Sequence, residues 1–127
     1  MDNTALVSFD IENGQRVIEA LERDGKTPDV ALWAVLPEYD DWRLVLASRQ
    51  LDDPSLFESY DAINSAMRKA GMTFLNEPTI FFCRMDEPFI RALREVFADA
   101  ANTYGMRLGG QKFGNRYIED AFVYRIR

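Results

Sequence analysis

The chain has 127 residues, a length typical of one domain. It contains no histidine and a single cysteine, Cys83, so Ser-His-Asp and Cys-His catalysis, histidine-ligated metal sites and internal disulfides are excluded within one chain. The formal net charge of −6 argues against a dedicated nucleic-acid-binding protein, because such proteins gain affinity by neutralising phosphates. We therefore expect no cofactor and no nucleic-acid partner.

The amino-terminal segment carries Asp2 where a signal peptide needs basic residues, and Ser8 and Asp10 interrupt its apolar run. No stretch approaches the roughly 18 apolar residues of a membrane-spanning helix. The lone cysteine fits a reducing compartment. We expect a cytoplasmic protein that does not associate with a membrane.

Charge is unevenly distributed along the chain. Residues 1–66 carry 14 acidic and 5 basic side chains, a net charge of −9, whereas residues 67–127 carry 7 acidic and 10 basic side chains, a net charge of +3. One interpretation is that the basic half holds a small anion or an acidic partner. The other is that the two halves attract each other within one fold.

The first predicted helix covers residues 10–25, with apolar side chains at helical spacing. Asp10 is suited to the N-cap and Gly25 to the position after the helix. Gly14 lies inside this helix at a cost of about 1 kcal/mol relative to alanine, which indicates close packing there. Residues 4–9 are expected to form a short strand or an extended lead-in.

A β-hairpin is predicted next. Residues 30–36 contain no polar side chain, which is typical of an inner strand covered on both faces. If the turn spans residues 37–41, the last residue of the first strand pairs with Trp42. This register places Trp33 on the same face as Arg43.

The remaining elements alternate between helices and strands. A second helix is expected to be capped by Asp53, with Pro54 in its first turn, and to end at Gly71. A strand over residues 79–85, a helix over residues 86–105 and a strand over residues 117–127 complete the chain. The order α-β-β-α-β-α-β predicts a single domain, residues 1–127, of the α+β or mixed α/β class. Its core is one mixed sheet of four or five strands with three helices.

Residues 105–116 combine four glycines with three cations, Arg107, Lys112 and Arg116. A phosphate-binding P-loop needs a lysine where Gln111 stands, and a dinucleotide-binding loop needs a strand before it and a helix after it. The hexapeptide "QKFGNR" partly resembles the acetyl-CoA motif of GNAT acetyltransferases, but that motif also leads into a helix. Here a helix precedes the segment and a strand follows, so none of these loops is predicted.

A bulged hairpin accounts better for the same residues. Gly114-Asn115 is a two-residue hairpin signal, and Gly109-Gly110 marks a bulge or a close backbone approach. This predicts an extra carboxy-terminal hairpin. Anion binding is compatible with it, because exposed N–H groups at a bulge attract anions.

Two further residues have structural explanations. Asp120 shares a strand face with apolar side chains, so its carboxylate needs a partner, and a backbone N–H or an arginine is expected. Cys83 lies in an apolar strand and is interpreted as a small buried hydrophobic residue rather than a nucleophile.

A sheet face that mixes aromatic and charged residues is the second candidate site. It carries Trp33, Arg43, Tyr117, Glu119 and Arg125, a composition common at interfaces and ligand sites. The face is either partly open, and then available to a second subunit, or covered by the first helix with the charges at its rim.

Two functions follow from these patterns. The favoured hypothesis is a non-enzymatic binding or protein-interaction module that self-associates through the mixed sheet face, because no catalytic or cofactor motif is present. The alternative is a small enzyme or sensor that binds a phosphorylated or carboxylated metabolite through residues 105–116. In that case Asp120 or Glu119 would supply the catalytic carboxylate.

Overall fold

The computed structural model describes residues 5–39, 41–52 and 55–127. Within them the chain forms three helices, a mixed five-stranded sheet and a two-stranded sheet, in the predicted order with the extra hairpin. The helices are α1 (Ser8–Arg23), α2 (Leu56–Lys69) and α3 (Pro88–Val96), with a short 3-10 turn at Arg49–Leu51. The strands are β1 (Val30–Val35), β2 (Trp42–Ala47), β3 (Ile80–Phe82), β4 (Arg107–Leu108), β5 (Gln111–Phe113), β6 (Arg116–Ile118) and β7 (Asp120–Ile126).

The large sheet has the strand order β3-β2-β1-β7-β4. Strands β2 and β3 are parallel and are connected through α2, whereas the other pairs are antiparallel. All six residues of β1 are buried at the centre of the sheet, which confirms the predicted inner strand.

Two hydrophobic cores lie on opposite faces of this sheet. Helices α1 and α2 cover one face, where Leu21 and Ile63 pack in the same cluster as Leu44. Helix α3 and the β5–β6 hairpin cover the other face, where Phe89 and Ile118 pack in one cluster. Both faces of the central strands are therefore buried.

Helix α1 begins three residues earlier than the predicted N-cap implies. Its N-cap is Val7, and Asp10 lies at the third helical position, where its carboxylate accepts a hydrogen bond from the Val7 N–H at 3.2 Å. Asp10 is thus a first-turn acid and not the N-cap. Of the two alternatives for residues 4–9, no strand forms in the described residues 5–9, and residues 8 and 9 are helical. The extended lead-in is correct for Val7, whose backbone is extended (φ −113°, ψ 170°). Gly25 follows the helix with φ +73°, as predicted.

Gly14 is required by close packing, as the sequence indicated. A Cβ atom at this position would lie 2.8 Å from Nε1 of Trp33 and still closer to the hydroxyl of Tyr124. These two groups are themselves linked, because the Trp33 indole donates a hydrogen bond to the Tyr124 hydroxyl at 3.0 Å. The Tyr124 hydroxyl in turn donates to the carbonyl of Ile11. The helix therefore lies directly against the sheet here.

The register of the first hairpin differs from the prediction by one residue. Val35, rather than Leu36, pairs with Trp42, because Leu36 belongs to the turn and its carbonyl accepts a hydrogen bond from the Tyr39 N–H. This shift sends alternate side chains to the other face. Trp33 therefore packs in the α1–α2 core, and Arg43 lies on the opposite face.

The other helix boundaries are partly as predicted. Gly71 follows α2 with φ +79°, while the expected cap Asp53 and Pro54 lie outside the described residues. Helix α3 ends at Val96, so its predicted extension to Gly105 is wrong. Thr103, in the segment predicted to be helical, is instead buried beside β7, where its hydroxyl accepts a hydrogen bond from the Ile126 N–H at 3.1 Å.

None of the helices in the described part of the chain is long and apolar enough to cross a membrane.

Candidate functional site

The glycine-rich segment forms the predicted hairpin. Strands β5 and β6 are antiparallel and are joined by Gly114-Asn115. Gly114 has φ +60°, and no described residue other than glycine has a positive φ, so the turn has the sign pattern of type II′. A Cβ atom on Gly114 would lie 2.9 Å from the Phe89 nitrogen and closer to the Pro88 carbonyl. The hairpin turn is therefore docked against the start of α3.

The glycine pair separates the two sheets. Gly110 donates a backbone hydrogen bond to the Ile118 carbonyl at 2.9 Å, and a Cβ atom on Gly109 would lie 3.0 Å from the Glu119 carbonyl oxygen. This confirms the predicted close backbone approach. The carboxy-terminal hairpin bends at this glycine pair. Strand β4 therefore pairs with β7 in the large sheet, while β5 pairs only with β6.

A groove of about 680 Å³ lies between α3 and this hairpin, and we name it the hairpin groove. Leu108 and Phe113 are the buried part of its lining, while Val96 is 62% exposed. Two of its lining residues, Arg107 and Lys112, are cationic and none is acidic. The complete lining is Ala92, Val96, Phe97, Met106, Arg107, Leu108, Gln111, Lys112, Phe113 and Gly114.

Arg107 is held by its neighbours on β7. Its guanidinium contacts both carboxylate oxygens of Asp120 at 3.1 Å, and its Nε donates to the Ala121 carbonyl at 2.9 Å. Asp120 also accepts from the Ala121 N–H, so both kinds of partner expected for this carboxylate are present. The positive charge of Arg107 is therefore largely compensated within the fold.

The other two cations of the segment point in different directions. Phe113 pairs with Arg116 across the hairpin, and Lys112 pairs with Tyr117, so Lys112 and Arg116 lie on opposite faces of the hairpin. Arg116 is bound to Glu87 at 3.2 Å. Its guanidinium lies 4.8 Å from the centre of the Phe81 ring, and Glu38 is 4.0 Å away.

Lys112 is exposed and makes no ion pair or hydrogen bond with any residue that the structure describes. The three cations therefore do not converge on one anion site.

The residues of the mixed aromatic-charged face are also separated. Trp33 is covered by α1, and Arg125 lies at the rim of that helix, 3.0 Å from Glu22. Arg43 is on the other face, where its guanidinium stacks 3.9 Å from the centre of the Tyr39 ring. Its buried Nε has no hydrogen-bond partner in the described part of the protein.

Tyr117 and Glu119 do not belong to the strands of the large sheet, although the Glu119 N–H donates a hydrogen bond to the Val35 carbonyl at the end of β1. Tyr117 is on the outer face of the hairpin and Glu119 is exposed at the bend between β6 and β7. The expectation of one open face is wrong. The alternative, in which α1 covers the face, is correct for Trp33 and Arg125.

Cys83 is fully buried, and burial raises the pKa of its thiol far above the usual range. The thiol is therefore protonated near neutral pH, as expected for a packing residue. Among residues 5–39, 41–52 and 55–127, no three cysteine or carboxylate side chains are grouped so that they could hold a metal ion.

The sequence indicated the hairpin but not the groove. In the sequence, Val96 and Phe97 continue a set of apolar residues at helical spacing that includes Ile90 and Leu93, and this set is wider than one buried face requires. That excess width was the available signal for an exposed apolar wall. The chain matches no protein-family model, no curated protein and no solved structure.

Proposed function

We propose that the protein is a non-enzymatic protein-interaction module whose hairpin groove receives an apolar side chain from an acidic segment of a partner protein. The observation that carries the proposal is an exposed apolar groove with cationic but no acidic lining residues, in a chain of net charge −6. A concave surface with an apolar floor and a few polar groups at its edge is the usual form of a binding site.

The dimensions of the groove support a side-chain anchor. Its volume of about 680 Å³ lies within the range of about 300–1,000 Å³ that is usual for ligand sites. Phe113 and Leu108 supply an apolar floor, and the rings of Phe97 and Phe113 lie 6.4 Å apart. Covering Val96 would remove apolar surface from water, which is the main source of affinity at small interfaces.

The charge of the groove supports an acidic partner. Lys112 shares the outer face of the hairpin with Tyr117, opposite to Phe113, so it contributes to the rim of the groove and not to its floor. It makes no ion pair within the described residues, so its ammonium is available to a partner's carboxylate, whereas Arg107 is engaged with Asp120. Complementary charge of this kind speeds association and selects the partner, and added salt weakens it.

The two earlier hypotheses are changed accordingly. Self-association through an open sheet face loses its basis because α1 and α2 cover one face and α3 and the hairpin cover the other. A site for a small phosphate or carboxylate would rest on Lys112, since Arg107 and Arg116 are engaged with acidic residues.

The test uses a fluorescein-labelled peptide in which glutamate alternates with leucine, and a second peptide with lysine in place of glutamate. Fluorescence anisotropy should show that the acidic peptide binds and the basic peptide does not. Val96→Asp should weaken binding of the acidic peptide by about tenfold or more, because it places a charge in the apolar wall. Leu56→Asp is the matched control, since Leu56 is a similarly exposed apolar helix residue outside the groove.

Equal binding of both peptides, or equal weakening by both variants, contradicts the proposal. A thermal shift produced by inorganic phosphate and lost in Lys112→Ala would favour the anion site instead. A dimer in sedimentation that Val96→Asp dissociates would identify the occupant of the groove as a second copy of the chain.

A further inference from the structure

A second depression lies on the other side of the molecule, between the start of α1 and the loop of residues 73–79. It consists of two adjoining cavities of about 250 and 70 Å³ that share Asp10, Trp33, Glu77 and Pro78 as lining residues. Trp42 also lines the larger one, so both tryptophans of the chain meet here. We name the pair the tryptophan cleft. It shares no lining residue with the hairpin groove.

A buried polar side chain without a partner lines the smaller cavity. Asn13 is 5% exposed, and its amide makes no hydrogen bond to any residue that the structure describes. Its side-chain oxygen and nitrogen are nevertheless not sealed from solvent, since Arg43 Nε is the only sealed polar side-chain atom without a partner among the described residues. An amide exposed to a cavity in this way is available to a bound ligand.

The cleft is lined by carboxylates that no cation neutralises. Asp10, Asp41 and Glu77 line it, and no lysine or arginine does. Asp10 and Asp41 each accept a backbone hydrogen bond, from Val7 and Trp42 respectively. None of the three acids forms an ion pair within the described part of the chain. A cationic group would satisfy their remaining acceptor capacity.

The arrangement suits an organic cation better than a metal ion. The described carboxylates are not grouped closely enough to hold a metal. Trp33 and Trp42 instead contribute aromatic atoms to the wall, although these residues are only 4% and 8% exposed. Aromatic rings attract ammonium groups, and the rim carries the apolar side chains of Phe9 and Leu75. These side chains are 56% and 77% exposed, so they are available to contact the aliphatic part of an amine.

The loop that carries Glu77 is held in place by its own hydrogen bonds. The Asn76 side chain accepts from the Thr73 N–H at 2.8 Å, and the Glu77 N–H donates to the Thr73 carbonyl at 2.9 Å. Met72, buried against the α1–α2 core, anchors its start. The cleft is thus formed before a ligand arrives, which lowers the entropic cost of binding.

We propose that the tryptophan cleft binds an aliphatic ammonium group, with Glu77, Asp41 and Asp10 facing the charge and Phe9 and Leu75 contacting the alkyl chain. A free amine and the side chain of a lysine in a peptide share this chemistry. The experiment therefore compares n-butylammonium with an acetylated, amidated peptide that contains one lysine. The neutral analogues are n-butanol and the same peptide with norleucine.

Intrinsic tryptophan fluorescence reports binding directly, because the only two tryptophans of the chain line the cleft. We expect a saturable change with one or both ammonium probes and none with the neutral analogues. Glu77→Gln should weaken binding about tenfold, because it removes one charged hydrogen-bond acceptor. Glu12→Gln is the matched control, since Glu12 is exposed on α1 and lies outside the lining.

Asn13→Ala gives a second test. The amide has no partner within the described residues, and alanine favours helices, so the substitution should weaken amine binding while the midpoint of urea unfolding changes little. Tighter binding of n-butylammonium than of the peptide would identify a free amine as the ligand. Tighter binding of the peptide would identify a lysine side chain of a protein instead. Saturation by neither probe, equal response to the neutral analogues, or equal effects of Glu77→Gln and Glu12→Gln would overturn the proposal.

Discussion

The hairpin groove and the tryptophan cleft are assembled in different ways. The groove is formed by residues 92–114, one continuous part of the chain, whereas the cleft combines α1, the β1–β2 hairpin and the loop before β3. Part of the groove could therefore be recognised in the sequence, because its glycines and cations lie close together in residues 105–116. The cleft has no local signature, because its residues come together only when α1 packs on the sheet.

The two regions also have opposite charges. The groove is lined by two cations and no acid, and the cleft by three carboxylates and no cation. Among the residues that the structure describes, three ion pairs join the acidic first half of the chain to the basic second half: Lys69–Asp24, Arg116–Glu38 and Arg125–Glu22. Attraction between the halves therefore accounts for part of the charge asymmetry. Within the described residues, Lys112 at the groove and the three carboxylates of the cleft form no ion pair, whereas Arg107 is paired with Asp120.

The largest effect is expected from Gly114→Ala, which should distort the hairpin groove and leave the tryptophan cleft unchanged. The new methyl group meets the backbone of Pro88 and Phe89 and also requires φ +60°. Left-handed strain of about 1–2 kcal/mol and a steric clash of about 1–3 kcal/mol should lower the free energy of unfolding, measured in urea. Binding of the acidic peptide should weaken in parallel.

Gly25→Ala is the matched control for this change. Gly25 has φ +73°, but a Cβ atom there has nothing within 4 Å. This variant should show the strain alone, with unchanged binding of the acidic peptide. Equal losses of stability in the two variants would mean that the hairpin does not rest on α3.

A smaller effect on stability is expected from Gly14→Ala, which alters the wall beside the cleft. Alanine in a helix normally gains about 1 kcal/mol over glycine. Here its methyl group collides with Tyr124 and Trp33, so the free energy of unfolding should instead fall by about 1–3 kcal/mol. Tryptophan fluorescence of the folded protein should change, while affinity for the acidic peptide stays the same. A stabilised variant would contradict the packing of α1 against the sheet.

The smallest expected effect is a loss of stability at alkaline pH, to which each of the two cores contributes through one buried group. Burial raises the pKa of Cys83, in the core beside the groove, and of Tyr124, in the core below the cleft. The unfolded chain releases these protons at about pH 8.5 and 10, whereas the folded chain retains them. Because the unfolded state then binds fewer protons, the free energy of unfolding should fall above these pH values, by up to about 1.4 kcal/mol per pH unit per group.

Substitution of each buried group shows how much of this pH dependence comes from its core. Cys83→Ala should remove the part of the slope that begins near pH 8.5, and Tyr124→Phe the part that begins near pH 10. Urea titrations across the alkaline range measure both slopes, independently of the stability that each variant loses near neutral pH. A slope unchanged by either substitution would show that these groups titrate alike in the folded and unfolded chain.

The elements were largely predictable because each depends on local patterns. The apolar run of β1, the glycines after α1 and α2, and the Gly114-Asn115 turn all appear where the sequence indicated. The errors have tertiary causes. Helix α3 stops early, and the segment after it places Thr103 against β7 by a hydrogen bond to Ile126. The first hairpin shifts by one residue because Leu36 joins the turn.

The sequence by itself determined the class of fold, the order of its elements, the absence of histidine and thiol-pair chemistry, and the hairpin in the glycine-rich segment. These follow from composition and from side-chain periodicity over a few residues. Only the tertiary structure decided which cations are compensated, that both faces of the sheet are covered, and that Asn13, Glu77 and the two tryptophans meet in one cleft. Contacts between residues distant in the chain depend on strand register and helix docking, and a one-residue shift in register is enough to exchange the two faces.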